Sequence, residues 1–152
     1  SNDESVEILK KSTSGVLALN GDDGYPYTVP ISFVYLNGKI IFHSAKSGHK
    51  IDSIRNNSKA SFCVVFQDDI VPEKFTTCFK SVVAFGNVRI VDDEKEKLDS
   101  INQIGYKYSP GFDEEQKQEI EKMFNSFEIL EFEIEHITGK EAIELVRQRN
   151  KQ

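Results

Sequence analysis

The sequence predicts a small, mostly antiparallel β-barrel decorated by helices, mainly β in class. Three observations carry that prediction. Short strand-like runs separated by Gly, Asn and Asp turns follow one another in the first third of the chain, as in a meander. Val82-Val83-Ala84-Phe85 is apolar on both faces of its strand, which implies burial on both sides, by a barrel interior on one and a subunit partner on the other. Ile129 to Ile137 alternates apolar and polar residues almost perfectly, the mark of a half-exposed strand. The 152 residues favour one domain, 1–152, with enough chain for a real core.

The elements follow in order. Val6 to Lys11 reads as the end of a helix, and Gly15 to Asn20 as a short strand. Gly21-Asp22-Asp23-Gly24 is a turn, because Gly and Asp supply conformations other residues resist. A second strand runs from Pro26 to Leu36, and Asn37-Gly38 turns it into a third beginning at Lys39. Pro26 and Pro30 cannot donate ladder hydrogen bonds, so this strand is bulged there or lies at an edge. A short amphipathic helix starts near Ser47 or Gly48, with Ile51 and Ile54 on its apolar side. Lys59 to Gln67 is a strand with Ala60, Phe62, Val64 and Phe66 on one face; Asp68 to Lys74 reads as a polar loop. Phe75 to Val91 is a long strand with a break available at Gly86. The acidic cluster at Asp92-Asp93-Glu94 opens a helix with Leu98, Ile101 and Ile104 on one face, broken over Tyr106 to Gly111. Asp113 opens another, with Ile120, Met123 and Phe124 as its apolar side. The alternating strand ends at Thr138-Gly139-Lys140, and the tail reads as a short helix. The tally is about six strands with helices at the connections.

Composition narrows the function. Charged residues make up 29% and hydrophobic ones 38%, and no apolar run is long enough to span a bilayer. Ser1-Asn2-Asp3-Glu4 lacks a signal-peptide pattern. Cys63 and Cys78 lie in apolar runs without metal-type spacing, as reduced thiols of a cytoplasmic protein do. A pI near 5.1 argues against nonspecific nucleic-acid binding. Eleven Phe and five Tyr supply aromatic surface for a flat ligand.

The stretch His43-Ser44-Ala45-Lys46-Ser47-Gly48-His49-Lys50 stands out. A strand ends, a small polar turn follows, and a helix begins, so backbone N–H groups can point outward at an anion. From His43 to Lys59, Lys46, Lys50, Arg55 and Lys59 oppose one acid, Asp52, a local net of +3 in a chain of net −6. This reads as a phosphate-binding corner. An ordinary solvated face, with Ser47 as a helix cap, gives the same pattern. No nucleophile signature, P-loop or G-x-G-x-x-G is present. Three histidines without a clustered carboxylate make no zinc site. The paired aspartates (22–23, 68–69 and 92–93) fall in turns or helix starts.

Three segments in order carry a resemblance: Gly24-Tyr25-Pro26-Tyr27-Thr28-Val29-Pro30-Ile31-Ser32-Phe33, then Ile41 to Lys50, then Asn56-Asn57-Ser58-Lys59-Ala60-Ser61-Phe62. Together they resemble the pyridoxamine 5′-phosphate oxidase-like, FMN-binding split-barrel superfamily, and within it the nitroimidazole-resistance (Nim) branch. Lys80 to Val88 resembles the family's next strand, including its glycine. The likeness covers roughly Gly15 to Val91 and extends more loosely to the end.

The resemblance implies FMN held at the interface of a homodimer. Val29, Pro30, Ile31 and Ser32 would line the isoalloxazine, partly through backbone groups. His43 and Ser44 would face the ribityl–phosphate part or the flavin edge, with His43 the candidate catalytic group near the substrate. His49 and Lys50 would hold the phosphate, and Ser81 and Val82 would touch the flavin from a neighbouring strand. The implied activity is electron transfer from NAD(P)H to a small acceptor, a nitroaromatic among the candidates. Its alternative is a non-catalytic flavin- or haem-binding barrel. Two departures stand out. His49 occupies a position where the family often has arginine, and a neutral imidazole is a weaker phosphate partner. The C-terminal motif with which the true oxidases hold vitamin B6 is not visible, which argues against B6 chemistry.

Overall fold

The computed structural model describes residues 1–151. Helix α1 (Asn2–Lys11) leads into strand β1 (Ser14–Asn20), and a 3-10 turn at Asp22–Gly24 delivers the chain to β2 (Pro26–Ser32). After Phe33 come β3 (Val34–Leu36) and β4 (Lys39–Ala45), then α2 (His49–Asn56). The long strands β5 (Lys59–Val71) and β6 (Thr76–Ile90) follow, joined by a 3-10 turn at Pro72–Lys74. Helices α3 (Glu94–Tyr108) and α4 (Asp113–Met123), a 3-10 turn at Phe124–Ser126, β7 (Phe127–Glu141) and α5 (Ile143–Arg149) complete the chain.

All seven strands form one antiparallel sheet in the order β2-β1-β5-β6-β7-β4-β3. That order forces curvature. Strands β2 and β3 are opposite edges of the sheet, yet only Phe33 separates them in sequence. The sheet must therefore curl until its edges meet at Phe33, and β2 also approaches β4 across the opening. The result is a split barrel. Its interior holds Leu17, Phe33, Phe42, Phe62, Val64, Val82, Leu130 and Phe132 in one cluster, and Ile51 and Ile54 of α2 join it. A second cluster, Val34, Ile41, Val91, Ile104 and Ile129, packs α3 against the outside of β3, β4 and β7.

The prolines fit this topology. Pro26 and Pro30 lie on an edge strand paired only with β1, where a missing N–H facing away from β1 breaks no ladder bond. Asn37-Gly38 makes the β3–β4 turn with φ of 47° and 84°, the pair of positive values a two-residue hairpin requires. Gly86 sits at a register shift between β6 and β7, where Phe85 pairs with His136 but Gly86 with Ile134.

The structure corrects several boundaries. The expected strand from Pro26 to Leu36 is two strands broken at Phe33, so the described residues form seven strands rather than about six. The third strand continues past His43 to Ala45. The segment read as a polar loop from Asp68 begins in strand: Asp68 to Val71 pair with Phe79 to Thr76 as a ribbon beyond the barrel. A bulge between Val65 and Gln67 reverses the alternation, so Phe66 leaves the core face and is exposed. Strand β7 runs on through Thr138, Gly139 and Lys140 to Glu141. On α3 Lys97 is buried alongside Ile104, while Leu98 is exposed. The Lys97 Nζ donates to the Phe127 carbonyl at 2.7 Å and lies over the rings of Phe124 and Phe127, so its stem packs while its charge is satisfied. Met123 is exposed, leaving Ile120 as the buried residue of α4. Cys63 is only half-buried, on the outer row of the sheet rather than in the core. Among the described residues no helix is long and apolar enough to cross a membrane.

One polar network ties the two halves of the sheet. The Glu131 carboxylate accepts from Lys39 Nζ at 2.9 Å and from Arg89 Nε at 3.0 Å, and Arg89 also reaches Glu96 at 2.7 Å. Burial raises the Glu131 pKa, but its bonds to Lys39 and Arg89 outweigh that and hold it below the ordinary glutamate value. A depressed folded-state pKa contributes stability that is present above the unfolded value and lost as pH falls through the folded one. Glu131→Gln is therefore expected to lower the melting temperature at pH 7, and the gap from wild type should close in the acid range; thermal unfolding at both pH values checks this.

Candidate functional site

The basic corner is built by strand β4 and helix α2. Phe42 and Ser44 are buried on the barrel side of β4, while His43 and Ala45 point to its other face, since successive strand side chains alternate. The chain then turns through Lys46, Ser47 and Gly48. Gly48 caps α2 with φ 119°, a conformation that favours glycine, and no side chain caps the helix. A Cβ at Gly48 would meet nothing within 4 Å. The approach to the first α2 amides is open, and those N–H groups carry the positive end of the helix.

Lys50 lies half-buried in the first turn of α2. Desolvation lowers its pKa. His43 is held below the ordinary histidine value first by desolvation and then by the Lys50 charge, so its imidazole is neutral at neutral pH. Among the described residues Lys46, Lys50 and Arg55 enter no ion pair, whereas Lys59 is drawn to Glu135 at 3.3 Å. Lys59 is thus removed from the corner, and Lys50 is the one unpaired cation there that is partly desolvated.

His49 is placed differently from Lys50. Its Nδ1 is 3.5 Å from an Asp22 carboxylate oxygen, and its ring meets Tyr27 edge-on at 4.4 Å between centroids. Its Nε2 lies 3.5 Å from where a Cβ on Gly21 would be. His49 therefore docks α2 onto the turn between β1 and β2. That contact joins residues more than twenty apart, and nothing local in the sequence signals it. It also links the basic corner to strand β2.

On β2, Val29 and Ile31 turn toward the barrel core, half-buried, while Pro30 and Ser32 are exposed. Strand β2 thus offers one apolar face to the interior and an outer face of Pro30 and Ser32. Of the pair on β6, Val82 is fully buried in the core, and Ser81 is half-buried between Val65 and Lys140. Ser81 lines a cavity of about 500 Å³ with Lys80, Lys140 and residues of α1. That cavity contains no residue of the basic corner, so within one chain Ser81 stands apart from His43 and Lys50.

The outer face of the sheet carries a mixed, partly apolar patch where β1, β5, β6 and β7 pair. Val16, Cys63, Val83 and Thr138 form one row across four strands, and Ala18, Ser61, Phe85 and His136 the next. Phe85 is 45% exposed and stacks on His136 at 6.1 Å. Of the run Val82 to Phe85, Val82 and Ala84 make the fully buried inner face.

Comparison with known proteins follows the same lines. No curated protein matches the sequence. Many solved structures share the fold, three of them as follows. A protein from Bacteroides thetaiotaomicron proposed to confer 5-nitroimidazole antibiotic resistance is 19% identical, with a TM-score of 0.74 over 91% of this chain and 82% of that one. An FAD-binding protein from Mesorhizobium loti is 25% identical, with a TM-score of 0.66 over 93% and 95%. An FAD and haem binding protein from Mycobacterium smegmatis is 16% identical, with a TM-score of 0.78 over 93% and 71%. The family model described as pyridoxamine 5′-phosphate oxidase matches residues 1–141. With the split barrel and that match over nearly its whole length, the chain belongs to the pyridoxamine 5′-phosphate oxidase family.

Proposed function

We propose that this protein binds FMN, with the flavin phosphate held at the α2 corner, and acts as an oxidoreductase. The observation that carries the reading is the uncapped, open N-terminus of α2 beside the unpaired, partly desolvated Lys50. Such a corner fits a phosphate on both counts, free amides and an uncommitted cation. Lys50 and the first α2 amides would hold the phosphate. His49 would position that helix from the side, and Val29, Pro30, Ile31 and Ser32 would present β2 to the ring. FMN supplies two-electron redox chemistry when bound. The chain's part is to bind and orient it, with neutral His43 beside the corner as the candidate group near the substrate. NAD(P)H is the proposed donor and a small acceptor, a nitroaromatic among the candidates, the proposed oxidant. The likeness to a protein linked to nitroimidazole resistance supports testing that class first.

The partner we propose is a second copy of this chain, seated on the outer rows around Val83 and Phe85. Exposed Val16, Val65 and Phe85 on a sheet face whose backbone is already paired are where a partner removes apolar surface from water. Ser81 lies on that same face, so a second copy is the means by which it reaches a corner that its own chain keeps away. Phe85→Glu is expected to shift the protein from dimer to monomer in sedimentation at micromolar concentration, and to cost flavin affinity with it.

The reading is tested by the visible spectrum of the purified protein, alone and after adding FMN, followed by NAD(P)H consumption with nitroaromatic acceptors. Flavin bands and turnover support an oxidoreductase; flavin bands without turnover reduce it to a carrier. A haem spectrum favours the second reading, raised by the relative that binds both cofactors.

A further inference from the structure

The barrel's seam is held by two side chains from the last turn of α3. Phe33 is the single residue between β2 and β3, so its backbone lies outside both ladders and needs other partners. The Phe33 N–H donates to the Tyr108 hydroxyl at 2.9 Å. The Phe33 carbonyl accepts from Lys107 Nζ at 2.9 Å and lies 2.8 Å from the Tyr108 hydroxyl. The same two groups reach the α1–β1 connection, Lys107 at the Ser12 carbonyl and Tyr108 at the Thr13 carbonyl.

The donors divide in one way. A phenol has a single proton, while an ammonium has three. With Lys107 on Phe33 and Ser12, the Tyr108 proton is free for Thr13, and every group in the cluster is satisfied. Without Lys107, Tyr108 must leave either Thr13 or Phe33 short. Lys107 also lies 4.4 Å over the Phe33 ring, which meets the Phe62 ring edge-on at 4.9 Å within the core. In the sheet, strand β2 is hydrogen-bonded on one side only, to β1.

We infer that Tyr108 and Lys107 are positioning residues for the cofactor: by fixing Phe33 they set the exit angle of β2, and so the placement of Val29 to Ser32 against a planar flavin ring. The inference rests on the flavin reading above. It assigns work to residues that, in sequence, read only as a helix break.

The test is an FMN titration of the full chain by flavin fluorescence, together with visible circular dichroism of the bound flavin and thermal unfolding. Tyr108→Phe keeps the ring and loses the hydroxyl. Lys107→Met keeps the stem and loses the charge, and serves if Tyr108→Phe fails to fold. Ile120→Val, a small deletion at a buried site on α4, is the control for general loss of stability. The expected result is FMN binding weakened about tenfold in the clamp variants, as for a lost buried hydrogen bond, with an altered flavin dichroism and no such change in the control. Clamp variants that melt earlier but bind FMN as wild type does would overturn the inference, as would equal weakening in the control. Absence of FMN uptake by the unaltered chain would overturn the flavin reading itself, and the clamp's role with it.

Discussion

Lys50→Ala is expected to weaken FMN binding by roughly ten- to a hundredfold, the span of one charge-assisted hydrogen bond to an anion. The fold should not suffer. Lys50 makes no ion pair among the described residues, and desolvation already works against its charge, so removing the ammonium relieves a small cost in the free protein. Stability at or slightly above wild type, together with lost affinity, is the signature of a group kept for a ligand. Lys46→Ala provides the contrast. Lys46 is exposed in the turn and should change affinity only a few-fold, through its long-range field, an effect that added salt removes. Titration of both variants at low and moderate salt separates a ligand contact from a solvated charge.

The largest expected loss of stability is at Gly86. A Cβ built there would lie 1.9 Å from the Glu133 carbonyl oxygen and 2.9 Å from its carbonyl carbon, both backbone atoms of a paired strand. Neither can move without opening the ladder between β6 and β7. Gly86→Ala should therefore cost about 3 kcal/mol or more, which in a chain of this size lowers the melting temperature by about 10 °C. The glycine permits the register shift at which β7 carries one extra residue, Glu135, between the partners of Phe85 and Gly86. Glu135 then reaches Lys59. Calorimetry of Gly86→Ala beside wild type is the check.

How much of this was legible in the sequence depended on the range of the interaction. Gly86 and the Asn37-Gly38 turn were readable because a glycine announces a local backbone need. Pro26 and Pro30 restricted β2 to an edge or a bulge, and the topology chose the edge. The basic corner was readable because its charges fall within one short stretch of the chain. The rest came from long-range pairing. Asp68 and Asp69 look like loop residues, and only Phe79 and Cys78 opposite them draw them into strand. Lys97 looks like a surface residue until the Phe127 carbonyl, 30 positions away, gives its ammonium a partner. The seam at Phe33 was hidden for the same reason: Ile31, Phe33 and Val34 fit one continuous strand, and the groups that bond its backbone at the break, Lys107 and Tyr108, lie some seventy-five positions away. Within the site, alternation along β4 and β2 separated neighbours that one motif had grouped, turning His43 away from Ser44 and Pro30 away from Ile31.

The central claim is that the α2 corner binds the flavin through its phosphate. The most direct measurement is a paired titration of wild type and Lys50→Ala with FMN and with riboflavin, which lacks the phosphate. The account predicts that wild type prefers FMN by at least tenfold, and that Lys50→Ala removes most of that preference by weakening FMN while leaving riboflavin affinity where it was. Equal binding of FMN and riboflavin by wild type, or a preference that survives in Lys50→Ala, would contradict it.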